Sequence, residues 1–130
     1  MDANELLRTT TTVVLIDYPG RAVPSAIARA GYAVVSKEGP DPDDYCEHVV
    51  EGDDVVLHKV GGPPARAEII YSHRPDDELP WIIELARQVG ARAVWAETGS
   101  AEGRALVEAA GLLYVDSPPI AQAAAAVTRS

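Results

Sequence analysis

One pattern of apolar and polar positions recurs three times along the chain. An Ala-rich stretch with helical spacing ends at a glycine, and a β-branched or aromatic run begins at once. Arg29-Ala30-Gly31 leads into Tyr32-Ala33-Val34-Val35, Gln88-Val89-Gly90 into Arg92-Ala93-Val94-Trp95, and Ala109-Ala110-Gly111 into Leu112-Leu113-Tyr114-Val115. Glycine just past a helix takes the left-handed conformation that closes it, so each junction predicts helix, cap, strand. Strands alternating with helices of this length predict crossover units and a parallel sheet.

Thr12 to Ile16 is a short apolar run without alternation, as expected of a strand buried on both faces. A turn-rich segment from Asp17 to Val23 follows, and Pro24 suits the first turn of a short helix ending at Ala30. The next strand is expected over Tyr32 to Ser36. An acidic, proline-containing loop then carries Cys46, and Val55 to His58 and Ala67 to Tyr71 read as strands on either side of the Gly61-Gly62-Pro63-Pro64 turn. A long helix begins near Asp76, with Leu79, Ile82, Ile83, Ala86 and Val89 on one face. Ser100 caps the following helix, and an Ala-rich helix after Pro118-Pro119 closes the chain. Residues 1–10 read as an amino-terminal extension to a single domain spanning 1–130. The expected fold is a three-layer α/β domain with a mostly parallel sheet of about five to six strands flanked by helices.

Composition agrees with a buried parallel sheet. The chain has no Phe and only Trp81 and Trp95 as large aromatics beside five Tyr, so aliphatic side chains must fill the core. The net charge of -9 repels phosphate backbones and argues against nucleic-acid binding. No apolar run is long enough to span a bilayer. A lone cysteine, Cys46, excludes an internal disulfide framework, and with the polar residues from Met1 to Arg8 it makes a cytoplasmic location the expectation.

In an open parallel sheet, ligands bind beyond the carboxyl ends of the strands, where neighbouring crossovers take opposite faces. The loops expected there hold Arg21, Lys37, His73 and Arg74, while Thr98 and Gly99 precede a helix start with free backbone donors. Basic side chains gathered at strand ends of an acidic chain suggest phosphate recognition. The glycine fingerprint of dinucleotide sites and the P-loop are both missing, which argues against ordinary NAD or ATP sites. His48, His58 and His73 match no ligand spacing, so no metal is expected. Gly-x-Ser-x-Gly is absent, and no nucleophile with a fixed base is evident, so catalysis is not expected.

The segment from Arg74-Pro75 through Leu79-Pro80-Trp81 to Gly90-Ala91-Arg92-Ala93-Val94-Trp95 resembles the pattern R-P-x-x-h-P-x-h-h-x-x-A-x-x-x-G-A-+-A-V-W. With looser similarity from Val13 to Ile120, the chain resembles the stand-alone CoA-binding Rossmann proteins related to the amino-terminal domain of the succinyl-CoA synthetase alpha subunit. The resemblance implies a Rossmann-like fold and a bound CoA. Its adenine nucleotide would rest on Tyr18, Pro19, Gly20, Arg21 and Ala22, near Lys37, and against Ser72, His73, Arg74 and Pro75. The chain departs from the family where Asp17-Tyr18-Pro19-Gly20 replaces a Gly-x-Ser loop, and where Asp116-Ser117-Pro118 replaces D-R-C. The resulting expectation is non-catalytic binding of CoA or a related adenine nucleotide. The alternative is a ligand-free interaction or regulatory module whose acidic segment from Asp41 to Asp54 meets a partner, a second copy or another protein.

Overall fold

The apolar run after Thr11 becomes the centre of a sheet. In the computed structural model, which describes residues 2–16 and 20–127, strand β1 (Thr12–Ile16) holds Val13, Val14, Leu15 and Ile16 at no more than 1% exposure. The elements in chain order are helix α1 (Ala3–Arg8), β1, α2 (Ala22–Arg29), β2 (Ala33–Lys37), β3 (Tyr45–Glu51), β4 (Asp54–Lys59) and β5 (Ile69–Ser72). A 3-10 turn (Asp76–Glu78), α3 (Leu79–Val89), β6 (Ala93–Ala96), α4 (Ala101–Ala109), β7 (Leu113–Val115) and α5 (Ile120–Ala126) follow.

The described residues form one mixed sheet in the order β4-β3-β2-β1-β5-β6-β7, mostly parallel, with β3 and β4 as an antiparallel extension. Seven strands replace the expected five to six. The strand missing from the sequence reading is β3, which places Cys46 in a ladder rather than a loop. Its run Tyr-Cys-Glu-His-Val-Val-Glu mixes acids and a histidine with apolar residues and so carries no buried-strand signature. A two-residue turn joins it to β4, and Gly52 supplies the positive φ of 65° that this turn needs.

The three junctions read from the pattern hold. Gly31, Gly90 and Gly111 have φ of 102°, 70° and 81°, and each follows a helix and precedes a strand. The crossover helices divide between the two faces. Ile27 and Ala28 of α2, with Leu6 and Leu7 of α1 and Ile120 of α5, cover Val13, Leu15, Val34, Ile69 and Trp95. Ile82, Ala86 and Val89 of α3 and Val107 of α4 cover Val14, Ile16, Val35, Ile70 and Val94. The amino-terminal extension is thus a helix tied into the core, capped where Asp2 Oδ1 accepts from Glu5 N at 2.9 Å.

At the amino end of the sheet, buried Glu68 accepts from the amides of Thr11 and Thr12 at 2.7 and 2.9 Å. These two donors stand at the start of β1, where the carboxylate satisfies both.

Truncating Leu15 to Ala removes a fully buried side chain at the sheet centre and should cost about 2–5 kcal/mol. Leu106→Ala, at a 46% exposed site on α4, should cost less than about 0.5 kcal/mol. Urea unfolding of both variants checks the contrast.

Candidate functional site

The β1–α2–β2 crossover lies on one face and the β5–α3–β6 crossover on the other, so the helices part at the carboxyl ends of β1 and β5. A crevice of about 550 Å³ opens there. Its walls are Ile16 at the end of β1, Lys37 at the end of β2 with Glu38 to Pro40 after it, and Arg74, Glu78 and Trp81 at the entrance to α3. A second hollow of about 310 Å³ lies between the loops after β5 and β6, from Ser72 to Asp76 and from Glu97 to Ser100. Arg74 borders both, so the two form neighbouring compartments of one edge.

The structure places most of the sequence-predicted residues along this edge, but not with free charges. Lys37 Nζ turns back to donate to the carbonyl oxygens of Gly39 and Asp41, at 2.5 and 3.0 Å. Its ammonium lies 5.6 Å from the ring centre of Tyr45, whose phenol burial pushes above its ordinary pKa. Arg74 Nε donates to Glu78 Oε2 at 2.8 Å, with a second close contact from Nη2 to the same oxygen. Glu78 Oε1 accepts from Trp81 Nε1 at 3.1 Å, which fixes the indole at the crevice mouth. The hydrogen bond from Arg74 holds the Glu78 carboxyl below its ordinary range. His73 Nδ1 pairs with Glu97. Ser72 Oγ is buried and accepts from Arg74 N at 3.2 Å.

Arg21 stands at the amino end of α2, exposed, with no ion pair to any described residue, and Ala22 opens the helix. Gly20 is exposed beside it, whereas Tyr18 and Pro19, and Asp17 before them, lie outside the described residues. Pro75 leads into the 3-10 turn. Thr98 and Gly99 line the second hollow, where a side chain on Gly99 would run into the Asp116 carboxylate. Ser100 caps α4 through its bond from Gly103 N at 2.8 Å and donates to Asp76 Oδ2 at 2.5 Å.

The loop from Lys37 to Asp41 is one of those expected at the strand ends, but Glu38, Gly39 and Pro40 within it, and Glu78, are not singled out from sequence. Glu78 had a legible signal, because it stands four residues after Arg74 at the start of a helix. Glu38 gave none beyond its place after a strand.

A polar chain runs inward from Glu38. Ser36 Oγ donates to Glu38 Oε2 at 2.8 Å and lies 2.7 Å from His48 Nε2. The hydroxyl proton is committed to the carboxylate, so Nε2 must carry the hydrogen and donate to Ser36. His48 therefore does not act as a base toward Ser36. Both residues are buried, and Nδ1 of His48 has no partner. The three histidines lie apart: His48 on β3, His58 paired to Glu51 at 2.8 Å, and His73 on the β5 loop.

No protein-family model and no curated protein matches the chain. Among solved structures, a protein of unknown function from Methanothermobacter thermautotrophicus aligns over 91% of this chain and 90% of its own, at 12% identity and a TM-score of 0.48. No helix among the described residues is long and apolar enough to cross a membrane.

Burial holds the His48 pKa below the ordinary imidazole value, Arg21 acts in the same direction, and Glu38 opposes them. The unfolded chain takes up the proton that the fold resists. This part of the stability is complete above about pH 6.5 and declines as pH falls below it. His48→Gln should flatten the decline of unfolding free energy between about pH 7 and pH 5, by at most about 1.4 kcal/mol per pH unit. Urea midpoints of both proteins across that range check it.

Proposed function

We propose that this chain is a non-catalytic binder of an adenine nucleotide, CoA or a relative, seated at the carboxyl ends of the strands in a Rossmann-like domain. The observation that carries the reading is the crevice where the crossovers part, with a fixed indole at its mouth and an acid after β2. Trp81 and Pro40 offer flat apolar surface to a base. Glu38 stands where an acidic residue accepts ribose hydroxyls in doubly wound folds. Arg21, with no ion pair to any described residue and at the amino end of α2, offers charge and a helix dipole to phosphate. Arg74 is paired with Glu78, whereas Lys37 Nζ is bonded only to backbone carbonyls and keeps its charge for a ligand phosphate. A reducing cytoplasm suits the lone, half-buried Cys46.

A second reading is a ligand-free interaction or regulatory module. It is favoured by the internal pairing of Lys37, His73 and Arg74, and by the acidic group Asp41, Asp43 and Asp44 beside the crevice.

Thermal unfolding with adenosine, ADP, NAD, CoA and acetyl-CoA separates the two. Binding at a hundred times the dissociation constant should stabilise the fold by about 2.7 kcal/mol. Trp81→Ala should weaken every nucleotide by about 5- to 150-fold, the range of a lost stacking contact of about 1–3 kcal/mol. Arg21→Ala should weaken ADP and leave adenosine unchanged. No stabilisation by any of them at millimolar concentration sinks the binding reading and leaves the module.

A further inference from the structure

Ser36 and His48 are polar side chains buried in an apolar layer. The alternation of β2 puts Ser36 on the same face as Val34, and His48 stands directly across from Val34, so both lie on the face that α2 covers. Their hydrogens run one way. His48 Nε2 donates to Ser36 Oγ across 2.7 Å, and Ser36 Oγ donates to Glu38 Oε2 at 2.8 Å. Burying the pair leaves His48 Nδ1 with no partner among the described residues, a penalty that apolar side chains at both positions would not carry. The relay leads out to the crevice, where Glu38 is exposed and forms part of the wall.

With Oε2 occupied, Oε1 of Glu38 is the oxygen left over, and it accepts from no described residue. A carboxylate oxygen accepts hydrogen bonds and donates none, so it suits hydroxyl groups and opposes phosphate oxygens. The adjoining loop strengthens that bias. Asp41, Asp43 and Asp44 cluster in it, and Lys37 Nζ is bonded to the carbonyls of Gly39 and Asp41. Arg21 and Glu38 are the two charges that act on His48, so the cation offered to phosphate and the acid offered to ribose neighbour the same imidazole. Phosphate and ribose are adjacent in a nucleotide in the same way.

We propose that Ser36, aimed by His48, positions Glu38 for the free hydroxyls of an adenosine ribose, and that the crevice thereby rejects nucleotides carrying a phosphate on that ribose. The inference rests on the nucleotide reading and narrows it. ADP, NAD and dephospho-CoA belong to the accepted class, and NADP and CoA do not.

Calorimetric titration of the whole chain with these ligands tests it. Dephospho-CoA should bind about 10- to 150-fold more tightly than CoA, and NAD than NADP, the span of one hydrogen bond to a charged group. ADP should exceed 2′,3′-dideoxy-ADP by a similar factor. Glu38→Gln keeps the shape and removes the charge, and should draw CoA and dephospho-CoA together. Ser36→Ala should shrink the preference for ADP over the dideoxy compound, because only the ligand with hydroxyls uses the aimed carboxylate. A merely structural Ser36 would lower both affinities alike and keep their ratio, which overturns its positioning role. The wild-type ratios decide the specificity even if this buried substitution prevents folding. CoA binding as tightly as dephospho-CoA or more so, as it would if Lys37 reached the extra phosphate, overturns the inference and leaves the nucleotide reading standing. Binding of none of these ligands overturns both.

Discussion

Everything in this fold depends on β1 being buried from both sides. Val13 and Leu15 face one layer of helices, and Val14 and Ile16 face the other. A strand with no polar face must be covered twice, which requires the chain to cross over on opposite sides of the sheet. The same requirement parts the helices at the carboxyl end of β1, and the crevice with Trp81 at its mouth lies there. The core and the candidate site are therefore two consequences of one apolar run.

The polar groups are arranged around that constraint. At the amino end, Glu68 satisfies the amides of Thr11 and Thr12 where β1 begins. At the carboxyl end, Lys37, His73 and Arg74 each find an acceptor in their own chain. In a protein of net charge -9, His73 and Arg74 meet carboxylates, whereas Lys37 is held by backbone carbonyls. Arg21 has no ion pair to any described residue, and its helix has no acid in the first turn. The orphaned Nδ1 of His48 shows the opposite situation, a polar atom held in place by the packing around β3.

The candidate site was legible in outline and not in chemistry. Position was readable because strand ends and helix starts follow from periodicity and glycine caps, which brought Lys37, Ser72, Arg74, Thr98 and Gly99 to one edge. The pairing of those residues was not, because Lys37 bends back to carbonyls after its own strand and His73 meets Glu97 from a different loop. Glu38 and Pro40 join the crevice only because the loop after β2 folds beside the entrance to α3.

The sequence by itself determined the alternation of helix and strand, the parallel core and the sites of its caps, because these rest on local periodicity and on glycine conformation within a few residues. Only the tertiary structure decided that Tyr45–Glu51 is a strand, that the antiparallel pair β3–β4 extends the sheet, and that Ala3–Arg8 seals one face. Each of these rests on contacts between distant segments, such as Val34 with His48 and Leu7 with Tyr32, which no local pattern encodes.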